Sequence, residues 1–179
     1  IRCDNLGGGI IKRILFYTNQ FFGQIGGEEK ASIPPQIILG RVGSANLFKD
    51  IEGEIVATII CGDNFYAENM EVTRSFISEQ IEEIKPDLVI AGPAFNAGRF
   101  GMGCGDICSL ASEKYKIESV TGMYIENPAV EIYKSQTYIL ETGKSAANMR
   151  IAVPLIVKLA NKILKEEPIG LPEEEGYIP

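Results

Sequence analysis

The chain has 179 residues and a mass of 19.6 kDa, with 45% hydrophobic and 23% charged residues and a net charge of −7. That composition suits one packed globular domain needing no disulfide or metal staple, and excludes intrinsic disorder and collagen-like repetition. His is absent, so no Ser-His-Asp triad, Cys-His pair or His-ligated metal can be built from this chain alone.

Residues 1–11 are a glycine-rich lead-in, expected to be flexible. Ile14-Leu-Phe-Tyr17 then forms a continuous apolar run ending in Thr18-Asn19-Gln20, the signature of a strand covered on both faces. The pattern recurs at Ile55–Ile60, running into Cys61-Gly62-Asp63-Asn64, and at Asp87–Ala91, running into Gly92-Pro93. Further strands are predicted at Ser119–Thr121 and Thr137–Leu140. Between them, Met70, Val72, Phe76, Ile77, Ile81 and Ile84 trace the buried face of a helix over 69–84, stopped by Lys85-Pro86. A second helix is predicted over 106–115 with Asp106 near its cap, and a third over 145–165, kinked or begun at Pro154.

Residues 12–165 therefore read as an α/β domain, and 166–179 as an acidic, Pro/Gly-rich arm outside the core. Strands alternating with helices predict a doubly wound, mainly parallel sheet flanked by helices, a Rossmann or flavodoxin-like three-layer sandwich. Ligands of such sheets sit beyond the carboxyl ends of the strands. Those ends carry Asn19, Asp63, Asn64, Phe95, Asn96, Glu126 and Asn127, the candidate binding residues.

The charge is local. Glu166, Glu167, Glu173, Glu174 and Glu175 lie in a segment without Lys or Arg, and without them the net charge of −7 falls to −2. No basic face points to nucleic acid or to an anionic membrane. Cys3, Cys61, Cys104 and Cys108 give one C-x3-C, which is neither a secreted disulfide framework nor the C-x2-C of redox and zinc sites. The longest apolar stretch, 151–160, contains Pro154 and Lys158 and is too short to span a bilayer. No signal-peptide pattern opens the chain, so it reads as cytoplasmic.

The most informative local feature is Gly98-Arg-Phe-Gly-Met-Gly-Cys-Gly105, expected to link a strand loop to a helix. Its backbone N–H groups suit an anion, and Arg99 suits bidentate capture of a carboxylate. The alternative is a tight turn with Arg99 in solvent; the spacing matches neither nucleotide motif. Cys61 lacks a cation to lower its pKa and reads as a spectator, while Cys104 and Cys108, one helical turn apart, read as packing. Phe21-Phe22 reads as a core or subunit plug, and 26–30 as a flexible loop. Glu126 suits acid–base work, but turn formation at Glu126-Asn127-Pro128 accounts for it equally well.

Five stretches go further: Tyr17–Lys30, Ile55–Asn64, Gly92–Gly101, Val120–Pro128 and Thr142–Arg150. In this order they resemble the selenoprotein B component of the glycine, sarcosine and betaine reductases, to which D-proline reductase is related. The resemblance covers about 12–179. It implies reductive cleavage of a substrate C–N bond through a selenoether. A pyruvoyl-bearing subunit of the same B component and a small selenoprotein A are the implied partners, with a small amino-acid-type substrate. A homo-oligomer is compatible with it. The selenocysteine of the family lies in a later half and is absent from this chain, so its catalytic residues are not assigned here and no cofactor is expected in it.

Three readings follow. In the first, this chain is the substrate-pocket domain of such a reductase, inactive when isolated. In the second, it is a non-catalytic α/β binding module for a small carboxylate or nucleotide. The third is a structural subunit that docks partners through its tail and Phe21-Phe22.

Overall fold

The computed structural model describes residues 10–179; Cys3 and most of the predicted lead-in lie outside the described residues. Six strands form one sheet: β1 (Arg13–Asn19), β2 (Gln36–Leu39), β3 (Glu54–Cys61), β4 (Leu88–Phe95), β5 (Glu118–Met123) and β6 (Tyr138–Glu141). Their spatial order is β2-β3-β1-β4-β5-β6, all parallel except β2, which runs antiparallel to β3 at the edge. The doubly wound, mainly parallel α/β fold expected from the sequence is therefore present. The five predicted strands are β1, β3, β4, β5 and β6. Nearly every residue of β1 and all of β4 are buried, as a strand covered on both faces requires.

The helices are α1 (Asp63–Glu68), α2 (Met70–Ile84), α3 (Gly98–Ser109), α4 (Ala129–Tyr133), α5 (Met149–Leu164) and α6 (Pro172–Glu175). Parity along the strands divides the core. Leu15, Tyr17, Ile59, Val89 and Ala91 pack on one face with Ile77 and Ile81 of α2 and Ile107 of α3. Ile14, Phe16, Leu88, Ile90 and Val120 pack on the other with Val153, Ile156 and Leu159 of α5.

Several elements depart from the sequence reading. The glycine-rich stretch is not a loop: Gly98–Gly105 is the first two turns of α3. Glycine weakens a helix, but at two of these positions a methyl group would not fit. A Cβ on Gly105 would fall 2.1 Å from Cδ2 of Tyr133, and one on Gly101 2.5 Å from the Asn127 amide. Asp106 is accordingly not an N-terminal cap but a fully buried residue in the last turn of α3. The third predicted helix starts at Met149 after a 3-10 turn over Ala146–Asn148, with Pro154 inside it. The predicted loop 26–30 holds a 3-10 turn at Glu28–Lys30, with Glu29 accepting the Gly27 N–H at 2.8 Å.

The acidic arm is attached to the sheet. Leu140 bridges Tyr177 in antiparallel fashion, the Ile178 N–H reaches Ile139 O at 2.8 Å, and Ile178 is buried. Glu175, one of the tail carboxylates, is itself buried; it accepts from Lys162 Nζ at 2.7 Å and from the Gly170 N–H at 2.8 Å. Charge alone hides this, because a paired carboxylate reads in sequence like a solvated one. Among the described residues no helix is long and apolar enough to cross a membrane.

Candidate functional site

The chain reverses direction across the sheet at β1: β3 lies to one side and β4 to the other. This switch point opens a crevice beyond the carboxyl ends of the strands. Asn19 ends β1, Asp63 begins α1 after Gly62, which follows β3, and Arg99 is the second residue of α3, which follows β4 after Asn96 and Ala97. Parallel pairing brings all three to one edge.

Asn19 is buried and holds both sides of its neighbourhood. Its Nδ2 donates to Asp63 Oδ2 at 3.0 Å, and its Oδ1 accepts the Phe22 N–H at 2.9 Å. Gln20, also buried, accepts the Asp63 N–H on Oε1 at 3.1 Å. The other carboxylate oxygen of Asp63 is buried without a hydrogen bond. Burial pushes the Asp63 carboxyl above its usual range, opposed by the Asn19 amide and by the nearby Arg99 charge. The next residue, Asn64, accepts a hydrogen bond on Oδ1 from the exposed Arg99 guanidinium. The Arg99 guanidinium is thus held on Asn64, the chain neighbour of Asp63, and each charged group is bonded to a neutral amide. Arg99 also borders an apolar cleft of about 400 Å³ between α1 and α3, walled by Tyr66, Met70, Met102 and Pro128. A comparable groove of about 420 Å³ runs along α5 on the opposite face, away from this cluster.

The remaining candidates divide. Phe95 is buried at a positive φ of 52° and packs its ring on Phe22, with centroids 6.4 Å apart. Asn127 is buried and clamps the fold: Nδ2 donates to Phe95 O and Ala97 O at 3.0 and 3.1 Å, while Oδ1 accepts the Ala129 N–H at 3.0 Å. Both of its donors are engaged within the fold. Asn96 and Glu126 are exposed, and neither is hydrogen-bonded to Asp63 or Arg99; Glu126 raises the pKa of the Tyr124 phenol. Phe21 is 59% exposed beside the partly buried Phe22, which stacks on Phe100.

All three described cysteines are buried free thiols. Burial pushes Cys61 and Cys108 up to about 12 and raises Cys104 as well, so no thiolate nucleophile is poised at this edge. Sequence reasoning missed a buried network beneath the site. Arg74 of α2 grips Asp106, whose Oδ2 also accepts the Tyr66 hydroxyl at 2.7 Å. The Tyr17 hydroxyl lies nearby, buried and unpaired. The only sequence signal for this network was a lone Asp in an otherwise small and apolar segment.

The sequence profile of the glycine/sarcosine/betaine reductase selenoprotein B family matches residues 11–179. The chain is 51% identical over 169 residues to the glycine reductase complex component B subunit gamma of Carboxydothermus hydrogenoformans, covering 93% of this chain and 39% of the relative. It is 48% identical to the sarcosine reductase complex component B subunit beta of Peptoclostridium acidaminophilum, over 92% of this chain and 38% of the relative. The betaine reductase complex component B subunit beta of the same organism is 44% identical, over 94% of this chain and 39% of the relative. The chain thus spans about two fifths of the length of these relatives. No solved structure matches it. With its profile matched across all but the first residues, the chain belongs to the glycine/sarcosine/betaine reductase selenoprotein B family.

Proposed function

We propose that this chain is the substrate-pocket domain of a substrate-specific reductase component, working in a complex that reductively cleaves the C–N bond of glycine, sarcosine or betaine. The family membership supports the reaction class, and the relatives named for three substrates support a shared frame with variable recognition. The selenocysteine and the pyruvoyl group implied by the family would supply the bond-breaking chemistry from outside these residues. The buried, protonated thiols of Cys61, Cys104 and Cys108 do not fit that nucleophilic role.

The observation that carries the reading is the pairing of Arg99 with Asn64 beside Asp63 at the switch point. Arg99 has a neutral partner, so its charge is left to attract an anion, and its planar fork matches a substrate carboxylate. Holding that carboxylate fixes the adjacent α-carbon for attack. Asp63, kept in place by Asn19, supplies negative potential on the amine side of such a substrate.

The test is Arg99→Lys in the assembled complex. Lysine keeps the charge and loses the bidentate geometry, so kcat/KM should fall by the equivalent of about 1.5–3 kcal/mol, with the melting temperature unchanged. Unchanged kinetics would remove Arg99 from the site. The isolated chain should bind substrate weakly and turn none over; turnover by the isolated chain would overturn the division of labour proposed here.

A further inference from the structure

The outer edge of the sheet carries an unusual strand. β2 lies at one end of the strand order, bonded on one side to β3 and, among the described residues, bordered by no strand on the other. The Gly40 N–H bonds Val56 O at 2.9 Å, which fixes the alternation: Gln36 and Ile38 point their backbone groups toward β3, Ile37 and Leu39 away from it. Soluble proteins usually blunt such an edge with charges or bulges. Here residues 31–40 contain no charge, and Leu39 is 85% exposed, more than any other large hydrophobic residue among those described.

We propose that β2 is a self-association surface, on which a second copy of this chain adds its own β2 antiparallel across a two-fold axis. The two sheets would then run on as one. An isologous contact requires the same patch on both subunits, and an antiparallel strand pair satisfies this by construction. Pro35 disfavours the register that would set it opposite Leu39, because it has no N–H to donate to the Leu39 carbonyl. Setting Ile37 opposite Leu39 of the copy, with Ile38 on the axis, pairs every outward N–H and C=O of Ile37 and Leu39. Ile37 and Leu39 share the face of the sheet that bears α1 and α2, so each exposed Leu39 is covered by an Ile37. Gln36 falls opposite Gly40, and Arg41 opposite Pro35 rather than opposite itself. No like charges meet.

Sedimentation equilibrium of the 179-residue chain across a wide concentration range tests this, together with hydrogen exchange at Ile37 and Leu39. The chain should approach twice its monomer mass, with the exchange of both amides slowing as the dimer fills. Leu39→Lys places a charge at an exposed position and should give a monomer with an unchanged melting temperature. Ile37→Pro deletes an outward N–H without removing a bond to β3 and should also give a monomer, with a lower melting temperature because the Ile37 side chain packs against the core. A chain that stays monomeric throughout, or a dimer that survives Leu39→Lys, would overturn the proposal. So would protection of Ile37 and Leu39 in the monomer, which would mean that another segment covers the edge.

Discussion

Asp106, fully buried in α3, accepts hydrogen bonds from both Nε and Nη2 of Arg74, which reaches it from α2 and keeps 46% of its side chain exposed. This fork ties together the two helices on one face of the sheet, and α3 carries Arg99 at its start. Arg74→Ala would leave a carboxylate buried without its counter-ion, with only tyrosine hydroxyls as partners. Loss of one member of a buried pair costs about 3–5 kcal/mol, and the solvent already reaching Arg74 places this case at the lower end. Urea denaturation should show that loss, and Arg74→Lys should recover only part of it. A variant as stable as the parent would show that the pair contributes nothing.

Gly105→Ala tests why α3 is glycine-rich. In an exposed helix the exchange would stabilise by about 1 kcal/mol. Here the new methyl would lie 2.1 Å from the Tyr133 ring, so the helix or the ring must move. A net loss of about 1–3 kcal/mol is expected, as for other overpacked cores. Tyr133→Ala alone should also destabilise, but combining the two should lose less than their sum, which a double-mutant cycle reads directly.

Thiol chemistry offers a third check. With Cys61 and Cys108 pushed up to about 12 and Cys104 raised too, iodoacetamide at neutral pH should leave all three untouched in the folded chain. Denaturant should make all three react within minutes. Peptide mapping separates them from Cys3. Rapid native labelling of Cys61 would return it to consideration as a nucleophile.

The arm should respond to acid. Lys162 and the Gly170 N–H hold the Glu175 carboxyl below its usual range in the folded chain. A carboxyl depressed by folding contributes stability above its unfolded pKa and loses it as pH falls through the folded one. Exchange of the Ile178 amide, bonded to Ile139 O, should therefore accelerate below the ordinary carboxylate range. Glu175→Gln should accelerate it at neutral pH and flatten the pH dependence. An arm equally protected in both chains would show that Ile178 and Tyr177 hold it alone.

By itself the sequence determined the five parallel strands and α2, because continuous apolar runs and a helical stripe are local signals of burial. It also determined that Asn19, Asp63 and Asn64 would stand at one edge, since parallel strands send their carboxyl ends the same way; that Arg99 of α3 reaches Asn64 there is seen only in the folded chain. Only tertiary structure decided what the α3 glycines do. At Gly101 and Gly105 the requirement comes from Asn127 and Tyr133, which lie more than twenty residues away in the chain and leave no room for a Cβ. The same holds for Asp106, whose charge is compensated by an arginine 32 residues earlier, and for β2, whose four residues gain strand structure only by pairing with β3. Local patterns report which face of an element is buried. They carry no record of the partner that buries it, and that partner decides whether a glycine is a loop or a seat and whether a carboxylate is solvated or paired.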